Sequence, residues 1–405
     1  MAVVFSSTLK TIVKGGAAVF NGNPEQCEYL SFRESLTKGC LYLFGFIYAL
    51  TTIIRIAVPI HKLPIKYTWA ELLINYQGGF VRRGLLGEVL FLLQPVIPSA
   101  AAACILIFFS YCLFTYLVLK LVSDAPLVVF SFFVFSPAAF LFPIRDPAVF
   151  GRKEIFFFLA FALTVVICKK YSDYRVKAAS FLVLYTIAAL IHEAAVFFAP
   201  LAACIVVFSM RECEGRLRLR TICCLLFYVF LLCCILYFSV NPNFDPAGII
   251  RSWSPYYPNI DTGSALNFLN KGLDITAITR QKAASFNQFS GPYLVDFCLA
   301  LLPIFLLLMH TDHLKFFRIL KNNDPILFAL TITSVLSPFV LFCFLLDWGR
   351  GIYFFSMHVF IFLVALTSFG LVKYRPVPPV SKYQWKIYTV FFLYYALLWK
   401  MPHMR

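Results

Sequence analysis

The chain has 405 residues, of which 61% are hydrophobic and only 13% are charged; its mean hydropathy is +0.82. A soluble protein of this length could not bury so much apolar surface, so the composition excludes that class and indicates an all-α, polytopic integral membrane protein. The net charge of +16 does not indicate nucleic-acid binding, because no soluble basic domain carries it.

Continuous apolar runs predict eleven membrane-spanning helices. The runs do not alternate with polar residues, which argues against a transmembrane barrel. Several are shorter than the ~20 residues that a full crossing takes, so their ends must borrow flanking residues or the bilayer must thin locally. In chain order the predicted helices lie near 39–58, 100–122, 125–143, 154–168, 178–191, 194–210, 221–240, 291–309, 325–345, 352–372 and 387–399.

Lysine and arginine indicate the orientation, because cytoplasmic loops are enriched in both. With eleven crossings and a cytoplasmic N-terminus, the most basic segments all fall inside: 10–38, 169–177, 211–220, 315–321 and 373–386. The segments that fall outside are 59–99, 144–153, 192–193, 241–290 and 346–351. The predicted organisation is a cytoplasmic segment 1–38 without a signal-peptide pattern, one transmembrane domain 39–400 with outer loops 59–99 and 241–290, and a tail 401–405.

Two segments decide this topology. Residues 85–98 are apolar but too few to cross, so we expect a helix lying in the outer interface. The 33 residues between Lys177 and Arg211 would reach about 50 Å as one helix, against a bilayer core of ~30 Å. Two short helices that bend at residues 192–193 fit better. The polar loop 241–290 is too long for a connector and is expected to fold over a site.

Thirteen cysteines occur, nearly all within apolar runs. A zinc site needs ligands grouped at a polar position, and disulfides need pairs in an oxidising compartment. Neither pattern is present in the sequence, and the outer loops lack a dense cluster of carboxylates. We therefore interpret the cysteines as small hydrophobic residues and expect no cofactor and no required metal.

The first polar island on the outer face contains Gly78 and Gly79, followed by Arg82 and Arg83. Paired glycines allow a sharp turn or a close approach to a ligand. Two adjacent arginines at such a turn present planar forks that match phosphate oxygens. The alternative is that both arginines extend to lipid headgroups at the start of a helix.

A second island joins two predicted helices. Arg145 and Asp146 end one helix, and Arg152, Lys153 and Glu154 begin the next, with prolines enforcing the break. The functional interpretation is another phosphate clamp, with Asp146 as a proton acceptor. The alternative is local ion pairing at helix ends, either Arg145 with Asp146 or Lys153 with Glu154.

Two further islands complete the outer face. His192 and Glu193 lie in an apolar stretch, where desolvation and nearby charges tune a carboxyl pKa toward a general base. Asp347, Trp348 and Arg350 lie between two long predicted helices; the tryptophan suits either sugar stacking or the aromatic belt. Ionisable groups are costly to hold at a membrane, so their convergence on one face predicts a functional site.

Together these islands resemble bacterial membrane proteins of surface-polysaccharide loci, namely O-antigen or capsule repeat-unit polymerases, or lipid-sugar-dependent glycosyltransferases of the GT-C type. The motifs that carry the resemblance are Gly79–Gly87, Gly151–Glu154, His192–Glu193 and Asp347–Arg350. A first outer loop with interfacial helices also resembles the GT-C layout. The GT-C Asp-x-Asp motif is absent from that loop, where Glu71 and Glu88 are the only carboxylates.

The resemblance implies a polyprenyl-(pyro)phosphate-linked saccharide as substrate, the bacterial inner membrane as location, and other polysaccharide-assembly proteins as partners. No nucleotide-binding signature is present, so the lipid phosphate would be the leaving group. Cations must then stabilise its charge, and a base must take the acceptor proton. The predicted phosphate-binding residues are Arg82, Arg83, Arg145, Arg152, Lys153 and Arg350. The predicted base is Glu193 or Asp347, with His192 and Asp146 in reserve.

Two rival hypotheses stay open at this stage. A transporter or flippase of an anionic lipid-linked saccharide would use the arginines without a base, although it usually shows repeats and broken mid-membrane helices. A non-catalytic assembly protein would use the polar islands only as ion-paired helix ends.

Overall fold

The computed structural model describes residues 24–57, 67–146, 149–210, 215–240, 244–258, 266, 294–344, 347–375 and 382–401. Over these ranges the regular structure is helical, without a strand, and one bridge joins Thr311 to Tyr374. The predicted all-α class is therefore confirmed for the described residues. The segments 1–23, 267–293 and 402–405, which carry parts of the predicted cytoplasmic segment, outer loop and tail, lie outside them.

The helices are numbered in chain order. The first half of the chain contains α1 Pro24–Ala57, α2 Tyr67–Leu72, α3 Gly84–Leu93, α4 Ser99–Val122, α5 Leu127–Val134, α6 Leu141–Arg145, α7 Glu154–Lys170 and α8 Tyr174–Ile191. The second half contains α9 Ala195–Phe208, α10 Gly215–Val240, α11 Pro246–Trp253, α12 Leu302–Met309, α13 His313–Asn323, α14 Pro325–Phe344, α15 Trp348–Ser368 and α16 Lys382–Leu393. A π-helical turn, Tyr394–Leu398, continues α16.

Five helical segments of the described chain are long and apolar enough to cross a membrane: Phe32–Ile54, Ser99–Val122, Tyr174–Ile191, Pro325–Phe342 and Trp348–Ser368. Shorter apolar helices are Gly84–Leu93, Ala195–Phe208, Leu225–Cys234 and Lys386–Leu398. These helices indicate a membrane protein, as the composition predicts. The number of crossings stays a prediction.

Helix α1 begins earlier than predicted. The apolar run predicts a start at 39, whereas the helix begins at Pro24 and is 34 residues long. An i,i+4 ion pair between Lys38 and Glu34, at 2.6 Å, supports the added polar turns. Residues 24–38 of the predicted cytoplasmic segment thus continue the first apolar helix.

The predicted helix over 125–143 is wrong, because the structure divides it into α5 and α6. Pro137 follows Ser136 in the intervening turn, and a proline nitrogen has no hydrogen to donate to a helix. The Ser136 hydroxyl accepts the backbone N–H of Ala138 at 3.1 Å. It also lies 2.6 Å from the Tyr395 hydroxyl, so the break contacts the C-terminal helix.

Both segments that decide the topology form short helices, whereas the position of α3 in the outer interface stays a prediction. Helix α3 has ten residues and reaches only about 15 Å, too short to cross a bilayer core. Helix α8 ends at Ile191 and α9 begins at Ala195, so the predicted break at 192–193 is confirmed.

Helix α15 forms the centre of the helical assembly. In the most apolar 18-residue stretch of α15, 89% is buried, compared with 22% in the corresponding stretch of α1. It packs against α4, α7, α9 and α14. A helix that is apolar all round suits such an interior position. Helix α1 instead exposes Tyr42, Phe46 and Ile53, a face suited to lipid. Because α15 is central, its N-terminal residues lie in the interior of the helical assembly.

Candidate anion-binding site

Five helix ends meet at one buried group of ionisable side chains, which we name the charge cluster. Its members come from the end of α2, the turn before α3, the start of α7, the break between α8 and α9, and the start of α15. They are Glu71, Arg82, Arg83, Arg152, Lys153, Glu154, His192, Glu193, Asp347 and Arg350.

The turn before α3 is shaped by backbone that passes very close to other groups. A β-carbon on Gly87 would lie 1.9 Å from the carbonyl oxygen of Ile74, and one on Gly84 would lie 2.2 Å from the Tyr76 ring. Both positions therefore require glycine. Arg83 adopts a left-handed conformation, with φ of 66°, which costs roughly 1–2 kcal/mol for a residue with a β-carbon. Such strain persists where the surroundings hold the residue in place.

Arg83 lies at the centre of the charge cluster. Its Nε donates to Oε2 of Glu193 at 2.6 Å, and its Nη2 donates to Oε1 of the same carboxylate. Its Nη1 donates to Oε1 of Glu71. One guanidinium is thus shared by carboxylates from α2 and from the α8–α9 break. Lys153 fixes the same residue through its backbone, because Nζ donates to the Arg83 carbonyl at 2.5 Å.

Two further arginines flank this centre at ion-pair distances. Nη1 of Arg82 lies 3.9 Å from Oε1 of Glu193. Nη1 of Arg152 lies 3.7 Å from Oε2 of Glu71. These separations exceed a direct hydrogen bond, so at these atoms the two arginines act on the carboxylates through their charge.

Arg350 forms the second centre of the cluster. Its Nη1 donates to Oε1 of Glu154 and its Nε to Oδ2 of Asp347, both at 2.9 Å. The other oxygen of Asp347 accepts the backbone N–H of Arg350 at 3.2 Å and so caps the N-terminus of α15. An aspartate cap stabilises a helix start. Here the cap also orients the guanidinium toward the first turn of α7.

Charge is nearly balanced within the cluster. Five basic side chains, those of Arg82, Arg83, Arg152, Lys153 and Arg350, face the four carboxylates of Glu71, Glu154, Glu193 and Asp347. The side chains of Arg350 and Glu193 are 17% and 14% exposed, compared with 3% for Glu71. Solvent or a ligand therefore reaches the cluster most readily at Glu193 and Arg350.

The surrounding charges set the protonation of the two carboxylates that bind Arg83. Burial alone would raise the pKa of Glu71, but Arg83 and Arg152 outweigh it and lower the pKa to about 2. For Glu193, burial is likewise opposed by Arg83, which with its neighbours holds the pKa well below the ordinary 4.5. Both groups are ionised at neutral pH, and while paired they are weak bases.

Lys153 and His192 respond to the same burial in the opposite sense. Burial lowers the pKa of Lys153 to about 7, against the opposing effect of Glu71. Burial, with Arg83 beside it, lowers the pKa of His192 to about 4, so the imidazole is neutral at pH 7. The backbone N–H of Ala194 donates to Nδ1 of His192 at 3.1 Å, which assigns the proton to Nε2. His192 therefore offers a donor to the site.

The structure brings together eight of the ten residues predicted from sequence. They are Arg82, Arg83, Arg152, Lys153, His192, Glu193, Asp347 and Arg350. Arg145 instead donates to the carbonyl oxygens of Trp399, at 2.8 Å, and of Ala396. Its contacts join α6 to the C-terminal helix, because carbonyls at a helix end need donors. The Asp146 carbonyl accepts the N–H of Val149 at 3.0 Å, and the role of its carboxylate stays a prediction.

Sequence reasoning did not assign Glu71 or Glu154 to the site. The sequence signal was available, since each is a carboxylate in an otherwise apolar stretch, and such a group must find a cation when buried. Which cation it finds depends on the tertiary fold. Glu88, the other carboxylate of the segment 59–99, accepts the N–H of Tyr76 and the side-chain N–H of Gln77, both at 2.9 Å. It supports the turn and binds neither arginine through these bonds.

The described part of the loop 241–290 packs on residues 73–78, which precede the turn before α3. The N–H of Asp245 donates to the Gly78 carbonyl and the indole of Trp253 to the Leu73 carbonyl, each at 2.7 Å. The Asn75 amide also donates to the Ser252 hydroxyl at 2.9 Å. Helix α11 thus covers residues 73–78, next to the cluster in sequence, and the folding of the loop over the site stays a prediction.

Over the described ranges, no group of three or more His, Cys, Asp or Glu side chains is placed to hold a metal ion. Comparison with protein-family models, with curated proteins and with solved structures gave no match. The chemistry of the charge cluster is therefore the basis for assigning a function.

Proposed function

We propose that the chain is a multi-pass membrane glycosyltransferase that polymerises a bacterial surface polysaccharide, O-antigen or capsule, from a polyprenyl-(pyro)phosphate-linked saccharide. In this proposal about eleven crossings form a GT-C-like bundle in the inner membrane, with the charge cluster at its non-cytoplasmic face. One observation carries the proposal: four arginines from three separated segments, 82–83, 152 and 350, converge on a single buried cluster.

Transfer from a lipid-linked sugar leaves negative charge on the phosphate. Fixed cations in a water-poor site stabilise such charge more strongly than water does. Arginine forks suit phosphate oxygens, because two parallel N–H groups can each donate to one oxygen. Arg83 already binds both oxygens of Glu193 in this manner, so its geometry suits an oxyanion, whereas Arg350 donates to two different carboxylates, Glu154 and Asp347.

Of the candidate bases, Glu193 fits best. Its side chain is 14% exposed and lies within reach of Arg82 and Arg83. Asp347 is 4% exposed and is held both as the cap of α15 and by Arg350. A base must reach the acceptor hydroxyl directly or through one water, so the more accessible carboxylate is the better candidate.

The near balance of charge favours one alternative, a structural ion-pair network that fastens five helix ends together. Buried ion pairs of this kind specify a fold without serving a ligand. A flippase of the same lipid-linked saccharide is the third candidate, because it would bind the phosphate without using a base.

Analysis of surface-polysaccharide chain length in cells separates these candidates. The variants are Arg82→Ala, Arg350→Ala and Glu193→Gln, with Arg375→Ala as a matched control, since Arg375 forms an exposed pair with Asp312 at 2.9 Å. Loss of long polymer, with single repeat units still exported, supports the polymerase. Accumulation of lipid-linked units inside the cell supports a flippase. Unchanged polysaccharide in every variant, at normal protein level, contradicts both the polymerase and the flippase.

A further inference from the structure

Glu193 binds Arg83 as a phosphate group would. Both carboxylate oxygens accept from one edge of the guanidinium, Oε2 from Nε at 2.6 Å and Oε1 from Nη2. That edge is the same two-donor fork that recognises paired phosphate oxygens. A donor phosphate and Glu193 therefore compete for the same two N–H groups.

The two carboxylates on Arg83 are not equally able to leave. Each has a second arginine within 4 Å, Arg152 for Glu71 and Arg82 for Glu193, but Glu71 is only 3% exposed and lies in α2. Glu193 is 14% exposed and lies in the break between α8 and α9. Outside a regular helix the χ1 rotamer is not restricted by the preceding helical turn, so the side chain of Glu193 can reorient more freely than that of Glu71. Glu71 is thus a fixed partner of Arg83, whereas Glu193 is the exchangeable one.

We infer, on the basis of the function proposed above, that Glu193 occupies the phosphate subsite of the ligand-free protein and that the donor's phosphate group displaces it from the Nε–Nη2 edge of Arg83. The displaced carboxylate then takes the proton of the acceptor hydroxyl. The subsite is specific for an oxyanion with two oxygens available to one guanidinium, as in a lipid diphosphate.

This exchange ties base strength to donor binding. Paired with Arg83, Glu193 holds its proton weakly, because the guanidinium stabilises the ionised form. Once the phosphate replaces it, that stabilisation is lost and the carboxylate becomes a stronger base. The acceptor is therefore activated only when a donor is present, and binding is ordered with the donor first.

The transfer step balances without another reactant. The acceptor oxygen forms a bond to the anomeric carbon as its proton passes to Glu193. The bond from that carbon to the phosphate oxygen breaks, and its electron pair stays on the phosphate beside Arg82 and Arg83. Glu193 then gives the proton to water and returns to Arg83, which releases the lipid phosphate.

Binding of farnesyl diphosphate to the purified, detergent-solubilised full chain tests this exchange. The variants are Glu193→Gln and Glu193→Asp, with Arg83→Gln as the loss control and Glu88→Gln as the matched acidic control. Removing the competing carboxylate should tighten binding about tenfold, the equivalent of roughly 1.4 kcal/mol. The shorter Asp side chain should also tighten binding, because it spans both nitrogens of Arg83 less well. Glu88→Gln should bind as the unchanged protein does, and Arg83→Gln at least tenfold more weakly.

The exchange is supported if Glu193→Gln or Glu193→Asp binds more tightly while polymer formation falls. It is overturned if both variants bind no more tightly than the unchanged protein while Arg83→Gln loses binding, a result that leaves the proposed function intact. If Arg83→Gln binds as well as the unchanged protein and its cells make normal polymer, the proposed function itself is contradicted. Glu193→Asp keeps the test valid should the glutamine variant fail to fold.

Discussion

Arg83 shows how much of this site depends on one side chain. It binds Glu71 and Glu193, which lie 12 and 110 residues away in the chain. Its left-handed backbone and the Lys153 bond to its carbonyl hold it in that position. The sequence predicted Arg83 as a site residue from its type and its glycine neighbours. It could not predict the two partners, because pairing over such separations is decided by helix packing.

Replacing Arg83 with alanine should destabilise the protein by about 3 kcal/mol, because it leaves two largely buried carboxylates without their shared cation. Thermal unfolding in detergent measures the effect. Arg251→Ala is the control, since Arg251 is 75% exposed in its pair with Asp245 and exposed pairs contribute about 0–1 kcal/mol. Equal melting temperatures for the two variants would contradict the buried network.

His192 should make the protein sensitive to mild acid. Its pKa is lowered from 6.5 to about 4, so below pH 6.5 the unfolded chain takes up a proton that the folded chain does not. Stability is therefore lost as the pH falls from about 6.5 to 4. Glu71, with a pKa of about 2 against 4.5, adds a further loss between about pH 4.5 and 2.

His192→Gln should flatten the first of these phases and leave the second in place. Melting temperature measured from pH 7 to 3 gives the comparison. An identical pH profile for the variant would show that His192 is not the buried neutral group described here. Burial also lowers the pKa of His313 in α13 to about 4, so the flattening should be partial.

At the scale of elements, the correctly predicted helix breaks have simple causes in the backbone. The breaks at 192–193 and after α3 follow from segment length and from the placement of glycine, proline and charge. The division of 125–143 at Pro137 was missed because the apolar run hid a residue that cannot donate a helical hydrogen bond. The early start of α1 was missed because the prediction used hydropathy, which detects only the apolar part of a helix. The polar turns before residue 39 do not contribute to that signal.

Two glycines give a matched pair that tests the packing of α3. A β-carbon on Gly87 would lie 1.9 Å from the Ile74 carbonyl, whereas Gly45 in α1 has nothing within 4 Å of that position. We expect Gly87→Ala to destabilise the protein by about 1–3 kcal/mol through overpacking. Gly45→Ala should be neutral or stabilise by up to about 1 kcal/mol, since alanine favours helix. A Gly87→Ala protein as stable as Gly45→Ala would contradict the close approach of α3 to residues 73–74.

At the scale of the whole molecule, the central feature is the meeting of five helix ends around the start of α15, the most buried of the five described helices long enough to cross a membrane. Composition and charge spacing predicted that the arginine islands share one face. Eight of the ten predicted residues do meet, whereas Arg145 binds carbonyls of the C-terminal helix. The sequence alone could not distinguish Arg145 from the arginines that join the cluster, because it has the same sequence context.

Sugar transfer in proteoliposomes tests the central claim most directly. The purified protein is supplied with a polyprenyl-diphosphate-linked repeat unit, and product chain length is measured for the unchanged protein, Arg83→Lys, Arg350→Ala and the control Arg375→Ala. The account predicts elongation by the unchanged protein and by Arg375→Ala, and at least a hundredfold loss, about 2.7 kcal/mol of transition-state stabilisation, in the two cluster variants. Elongation at equal rates by all four proteins would contradict it.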